Sequence, residues 1–141
     1  MKTIPQWNIP TNLQEIITGD EDQTWESEEW KPIFLRVIGG TIYKGREIPL
    51  AWEIELSLDD DFFDDINQKI EDMSIEADGY VWLEIIKHHL SKNAPSLVER
   101  IHTGDTESSA CVIWVESEKD CRQLIESVWK LLNDEEISSF H

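Results

Sequence analysis

Leu50, Trp52, Ile54, Leu56 and Leu58 alternate with Ala51, Glu53, Glu55 and Ser57. A period of two predicts a strand with one face on a core and the other, bearing both glutamates, in water. Upstream, residues 33–38 read Ile-Phe-Leu-Arg-Val-Ile, a nearly continuous apolar run expected of a strand covered on both faces. Gly39-Gly40 ends that run and Lys44-Gly45 marks a second turn, leaving room for an extra strand at 41–43. The period then changes. Phe62, Ile66, Ile70 and Met73 recur at helical spacing, and Asp59 to Asp61 supply an acidic first turn suited to a positive helix N-terminus. After a break at Asp78-Gly79, a second helix carries Trp82, Ile85, Ile86, His89 and Leu90 on one side. It should end near Asn93, with Pro95 opening a short helical turn over 96–98. Residues 100–102 and 110–115 read as two strands around a turn at Gly104-Asp105. Ser117 with Asp120 resembles a capping box. Cys121, Leu124, Ile125, Val128, Leu131 and Leu132 then form the strongest amphipathic helix of the chain.

The expected order is β-β-α-α-β-β-α, an α+β domain with helices packed on a mostly antiparallel sheet. Residues 1–32 are expected to be an irregular acidic segment ahead of a single domain over 33–141. Pro5, Pro10 and Pro32 punctuate the segment, and only Leu13, Ile16 and Ile17 suggest a helical turn.

Charge sharpens this picture. Thirty acids against 12 Lys and Arg give a formal net charge of −18 over 141 residues. Residues 15–29 carry seven acids and no base, and residues 53–78 carry eleven against the single Lys69. Such a balance repels nucleic acid and anionic lipid and favours basic proteins or cations. With 40% apolar residues and seven Trp, the chain still has material for a core, so wholesale disorder is not expected. The residues after Lys2 form no apolar run of the signal-peptide kind, and no stretch approaches the roughly 20 apolar residues of a membrane helix. Cys111 and Cys121 do not make a disulfide framework. These features point to a soluble, cytoplasmic protein with free thiols.

Candidate chemistry is sparse. His88-His89 is an unpromising metal pair, because adjacent helical residues point about 100° apart. His89 reads as a core histidine and His88, four residues after Glu84, as solvent-facing. Asp20, Asp22 and Thr24 begin like a calcium loop, but Trp25 and Lys31 stand where glycine and the bidentate glutamate belong. Asp59-Asp60-Asp61 reads as helix-dipole chemistry before it reads as a cation site. The two cysteines have no partners at zinc spacing. Cys121 lies near a helix N-terminus, which lowers a thiol pKa, but also in the apolar stripe, where burial raises it. No nucleophile elbow, phosphate loop or basic patch is present, and the carboxylates are too loosely spaced to nominate an acid/base pair. No catalytic residue, metal or cofactor is expected.

Gly79-Tyr80-Val81-Trp82, an apolar helix, Ala94-Pro95-Ser96-Leu97 and then Arg100-Ile101 together resemble a bacterial family from polymorphic-toxin systems, immunity protein fifty-one. The family's pattern is a Gly-Tyr-x-Trp helix start, an Ala-Pro-x-Leu break, an Arg-Ile strand start, and a hairpin before a closing amphipathic helix. The similarity runs from about Trp52 to Leu132. Relatives carry a Gly-rich run where this chain has Ile75-Glu76-Ala77-Asp78, and the hairpin at 103–109 is longer and more polar here. The resemblance implies a non-catalytic protein that binds and neutralises a cognate toxin encoded beside it. Gly79, Tyr80 and Trp82 read as scaffold, the aromatics packing the helix start onto the sheet and the glycine supplying an unusual backbone conformation.

Acid and resemblance together make Asp60, Asp61, Asp64, Asp65, Glu71, Asp72, Glu76 and Asp78 the candidate partner-binding surface, facing a basic toxin domain. A solvated helix face accounts for the same residues without any partner. A different function with the same charge is a nucleic-acid mimic that inhibits a DNA- or RNA-binding protein, with strongly salt-dependent binding. Exposed Trp7, Trp25 or Trp30 would instead mark a contact site for a small molecule or partner.

Overall fold

The computed structural model describes residues 3–133. Four strands, β1 (Thr24–Ser27), β2 (Ile33–Tyr43), β3 (Arg46–Ser57) and β4 (Ala110–Val115), form one antiparallel sheet in the order β1-β2-β3-β4. Helix α1 (Leu13–Gly19) precedes it. Between β3 and β4 lie a 3₁₀ turn (Asp61–Phe63), α2 (Asp64–Glu71), α3 (Gly79–Asn93) and α4 (Pro95–Val98), and α5 (Glu118–Leu132) follows. The α+β class and the antiparallel sheet agree with the sequence pattern, but the order is α-β-β-β-α-α-α-β-α rather than β-β-α-α-β-β-α.

Three local effects explain the difference. The segment 1–32, read as irregular, holds α1 and β1, and Leu13, Ile17 and Trp30 are buried in the core. Short elements with two or three apolar residues leave too little periodicity to detect. Second, Gly39-Gly40 does not end β2. The register continues from Gly39↔Leu50 to Tyr43↔Arg46, with Gly40 at φ +68° absorbing a sharp coil opposite Pro49. Third, residues 100–102 form no strand. Only His102 bridges to Trp114. The next outward position of β4 is filled by a side chain, the Thr106 hydroxyl, which donates to the Val112 carbonyl (2.9 Å) and accepts from its N–H (3.1 Å). Glu107 and Ala110 close the row by exchanging backbone hydrogen bonds. The outer edge of β4 is thus occupied along its length, which blocks strand addition there.

Alternation places Leu35 and Val37 of β2, Trp52, Ile54 and Leu56 of β3, and Ile113 and Val115 of β4 on one face, in a single core with Trp82, Ile86 and Leu90 of α3 and Leu124, Ile125 and Val128 of α5. Strand β2 is not covered equally on both sides: Ile33, Leu35 and Val37 are buried while Phe34, Arg36 and Ile38 are half-buried. The α3 start is held by Asp78, whose carboxylate accepts the Val81 N–H at 2.9 Å, and Ser117 accepts from Asp120 at the start of α5.

Gly79 is required for a different reason from the one its sequence context suggested. Its φ is not positive; instead a Cβ there would run into the Glu107 carbonyl oxygen and lie 2.6 Å from that of Ala110. Trp82 is fully buried, edge-on to Phe63, with its indole N–H donating to Asn67 at 2.8 Å. Tyr80, expected to pack inward beside it, is instead 54% exposed.

Candidate functional site: an acidic rim and the helix-free face of the sheet

The eight acids singled out from the sequence lie along the 3₁₀ turn, α2 and the connection into α3. Asp60, Asp61, Asp64, Asp65, Glu71, Asp72 and Glu76 are exposed, and Asp78 is half-buried. Some serve local structure. Asp60 accepts the Phe62 N–H, Asp72 accepts from Gln68, and Asp78 caps α3, each at 2.9 Å. Asp64 and Asp65, rather than Asp59 to Asp61, form the acidic first turn of α2. The same stretch exposes two large apolar side chains, Ile75 and Tyr80.

A second arrangement lies on the sheet face that the described helices leave uncovered. Register aligns Glu26, Arg36, Glu53 and Trp114 across the four strands, and the bridge adds His102 beyond β4. Arg36 donates to Glu53 at 2.8 Å and lies 3.7 Å from Glu26. Glu53, expected in water, is only 8% exposed. Burial raises its pKa above the ordinary carboxylate value, and the Arg36 charge and hydrogen bond offset part of that rise.

The row ends in an aromatic cluster. His102 stacks on Trp114 at 4.0 Å between centroids, and Tyr43 meets both rings edge-on. Strict alternation would set Tyr43 and Ile48 on the core face with Val37 and Trp52, yet both pack with Trp114, Ala51 and Ile38. The coil at Gly40 rolls the hairpin end onto the opposite face. Beside the cluster, Glu116 takes two hydrogen bonds from Arg46 (2.5 and 2.9 Å) and one contact with His102 Nε2 (2.8 Å). Arg46 and His102 hold the Glu116 pKa down at about 2.

Two adjoining grooves open on this face. One, of about 330 Å³, is lined by Glu53, Glu55, Asp59, Asp105 and Glu107, with Arg36 as the cation among the described lining residues. The other, of about 270 Å³, has Ile38, Ile42, Tyr43 and Trp114 around it and shares Glu53 and Asp105 with the first. Sequence reasoning missed this site. Its members are scattered from Glu26 to Glu116, and only strand register brings them together; the one legible signal was the pair of glutamates on β3.

Other chemistry finds little support in the geometry. Among the described residues, no group of three or more His, Cys, Asp or Glu side chains is placed to hold a metal ion. Cys111 and Cys121 are buried free thiols 0–1% exposed, and burial pushes the Cys111 pKa up to about 12 and that of Cys121 upward as well. The apolar stripe therefore outweighs the helix N-terminus at Cys121. His89 is half-buried, against Asn93, in a polar groove between α3 and α5 rather than in the core, and His88 is exposed. Trp7 folds back, stacking on Trp52 and meeting Trp30 edge-on, with its indole N–H donating to Glu118. Trp30 is buried and Trp25 half-buried, so these tryptophans close the core's rim. No described helix is long and apolar enough to cross a membrane.

Compared with protein families, curated proteins and solved structures, the chain gives no significant match.

Proposed function

We propose that this protein is a non-catalytic immunity protein of a bacterial polymorphic-toxin system, binding and neutralising a cognate toxin domain through its acidic surface in the cytoplasm. The observation that carries the reading is the exposed acid of residues 60–76 with exposed Ile75 in it, leading into the Gly79-Tyr80-Val81-Trp82 helix start, where Tyr80 is also exposed. Acid alone offers long-range steering of a basic partner, and apolar side chains among it supply contact area that salt does not screen.

Co-expression with the polypeptide encoded by the neighbouring gene tests this. The expected result is a stable complex and rescue of growth; no complex and no rescue overturn it. A nucleic-acid mimic, in contrast, would bind many basic proteins, compete with DNA, and release them steeply as salt rises.

A further inference from the structure

The two grooves on the helix-free face adjoin the acidic rim directly. Asp59, the residue before the rim, lines the first groove, and the 107–110 segment that walls it packs against Gly79 at the rim's far end. From there carboxylates continue inward to Glu53 and Asp105, where the floor turns apolar at Tyr43 and Trp114. Ile42 stands beside that floor 74% exposed, the most exposed of the large apolar side chains described.

Two features limit what can dock there. The β4 edge is occupied by Glu107, Thr106 and His102, so a partner cannot add a strand to it and must insert side chains into the face. Arg36 is held by Glu53 and Glu26, which leaves the charge of Glu55, Asp59, Asp105 and Glu107 unmatched by any other cation lining the groove among the described residues. Both grooves open to solvent rather than enclosing a small ligand.

We infer that this face is a docking site for a basic protein segment that places a Lys or Arg side chain between Asp105, Glu107 and Glu55 and an adjoining apolar side chain against Ile42, Tyr43 and Trp114. The inference rests on the proposed role as an inhibitor of a basic protein, and it names a surface and a ligand chemistry that the acidic run does not include. Electrostatic complementarity selects the cation, and the apolar floor beside it rejects a partner that offers charge alone.

The probe is a short peptide of alternating lysine and leucine, titrated into the isotope-labelled chain and followed by NMR. Saturable shifts of the Trp114 indole and the 104–109 amides are expected. Removing charge with Asp105→Asn and Glu107→Gln should weaken binding about tenfold, whereas Glu15→Gln with Glu21→Gln, exposed acids away from both the face and the rim, should change it by less than about twofold. Shifts centred on 60–78, equal losses from both variant pairs, or no saturable binding would each overturn the inference. Its failure is separable from that of the proposed function. Peptide docking without a complex with the neighbouring gene's product contradicts only the immunity role. A complex indifferent to Asp105 and Glu107 contradicts only this face.

Discussion

On the helix side of the sheet, Leu35, Ile54 and Ile113 sit in a core shared with α3 and α5; on the other side the same three strands present Arg36, Glu53 and Trp114. Both sides are well ordered in register, but they solve different problems. The first removes apolar area from water, at roughly 25 cal/mol per Å². The second holds charges half out of water, where pairing roughly balances desolvation and contributes little to stability. The second arrangement lies beside the exposed acidic rim, on the face where we propose that a basic partner docks.

The contrast breaks most visibly at the seam between the two sides. Gly79→Ala forces a methyl group into the Glu107 and Ala110 carbonyls, and should destabilise by about 3 kcal/mol or more, read as a large fall in the denaturation midpoint. Trp82→Ala should cost about 3–5 kcal/mol, since it empties a fully buried site and strands Asn67. If either variant unfolds at the wild-type midpoint, the seam is not packed as described.

Smaller effects separate the carboxylates of the second side by sign. Glu116 has its pKa lowered from 4.5 to about 2, so it stabilises the folded state above pH 4.5 and loses that contribution as pH falls toward 2. Glu53 has its pKa raised, so its ionisation disfavours the folded state as pH rises past the ordinary carboxylate range. Glu116→Gln should therefore flatten the acid limb of a stability profile, while the stability of Glu53→Gln relative to wild type should improve as pH rises from about 4 to 7. Denaturant titrations from about pH 2 to 7 check both slopes. Parallel profiles for the two variants would contradict the contrast.

Smallest of all should be the stability effect of Asp64→Asn with Asp65→Asn. These exposed acids should leave stability within about 0.5 kcal/mol of wild type, while weakening association with a basic partner.

How much of this was legible in the sequence follows the length and regularity of each pattern. The β3 alternation, α3 and α5 carry enough repeats to be read as elements, and the α+β class follows from them, but His89, read on the core side of α3, lies in a polar groove and Leu83 is buried in its place. Strand β1 has four residues and α1 seven, too short for a period to emerge, so their place was visible only through the core they help close. Residues 100–102 carry strand-like composition, but the Thr106 hydroxyl takes the edge positions a strand would use, a tertiary choice that no local pattern encodes. The acidic rim was legible because its residues are contiguous. The row from Glu26 to His102 was not, because register across five segments creates it. Glu53 shows the limit most clearly: alternation assigned it to the correct face, but not its burial against Arg36.

The central claim is that the acidic surface binds one basic toxin domain specifically. Its most direct test is calorimetric titration of the chain with the C-terminal domain of the neighbouring gene's product, at low salt and again near roughly 0.5 M, where the Debye length falls to a few ångströms. A one-to-one complex that survives the higher salt and silences the domain's toxicity is expected. No binding at either salt, or binding that vanishes at the higher salt and is matched by unrelated basic proteins, would contradict it.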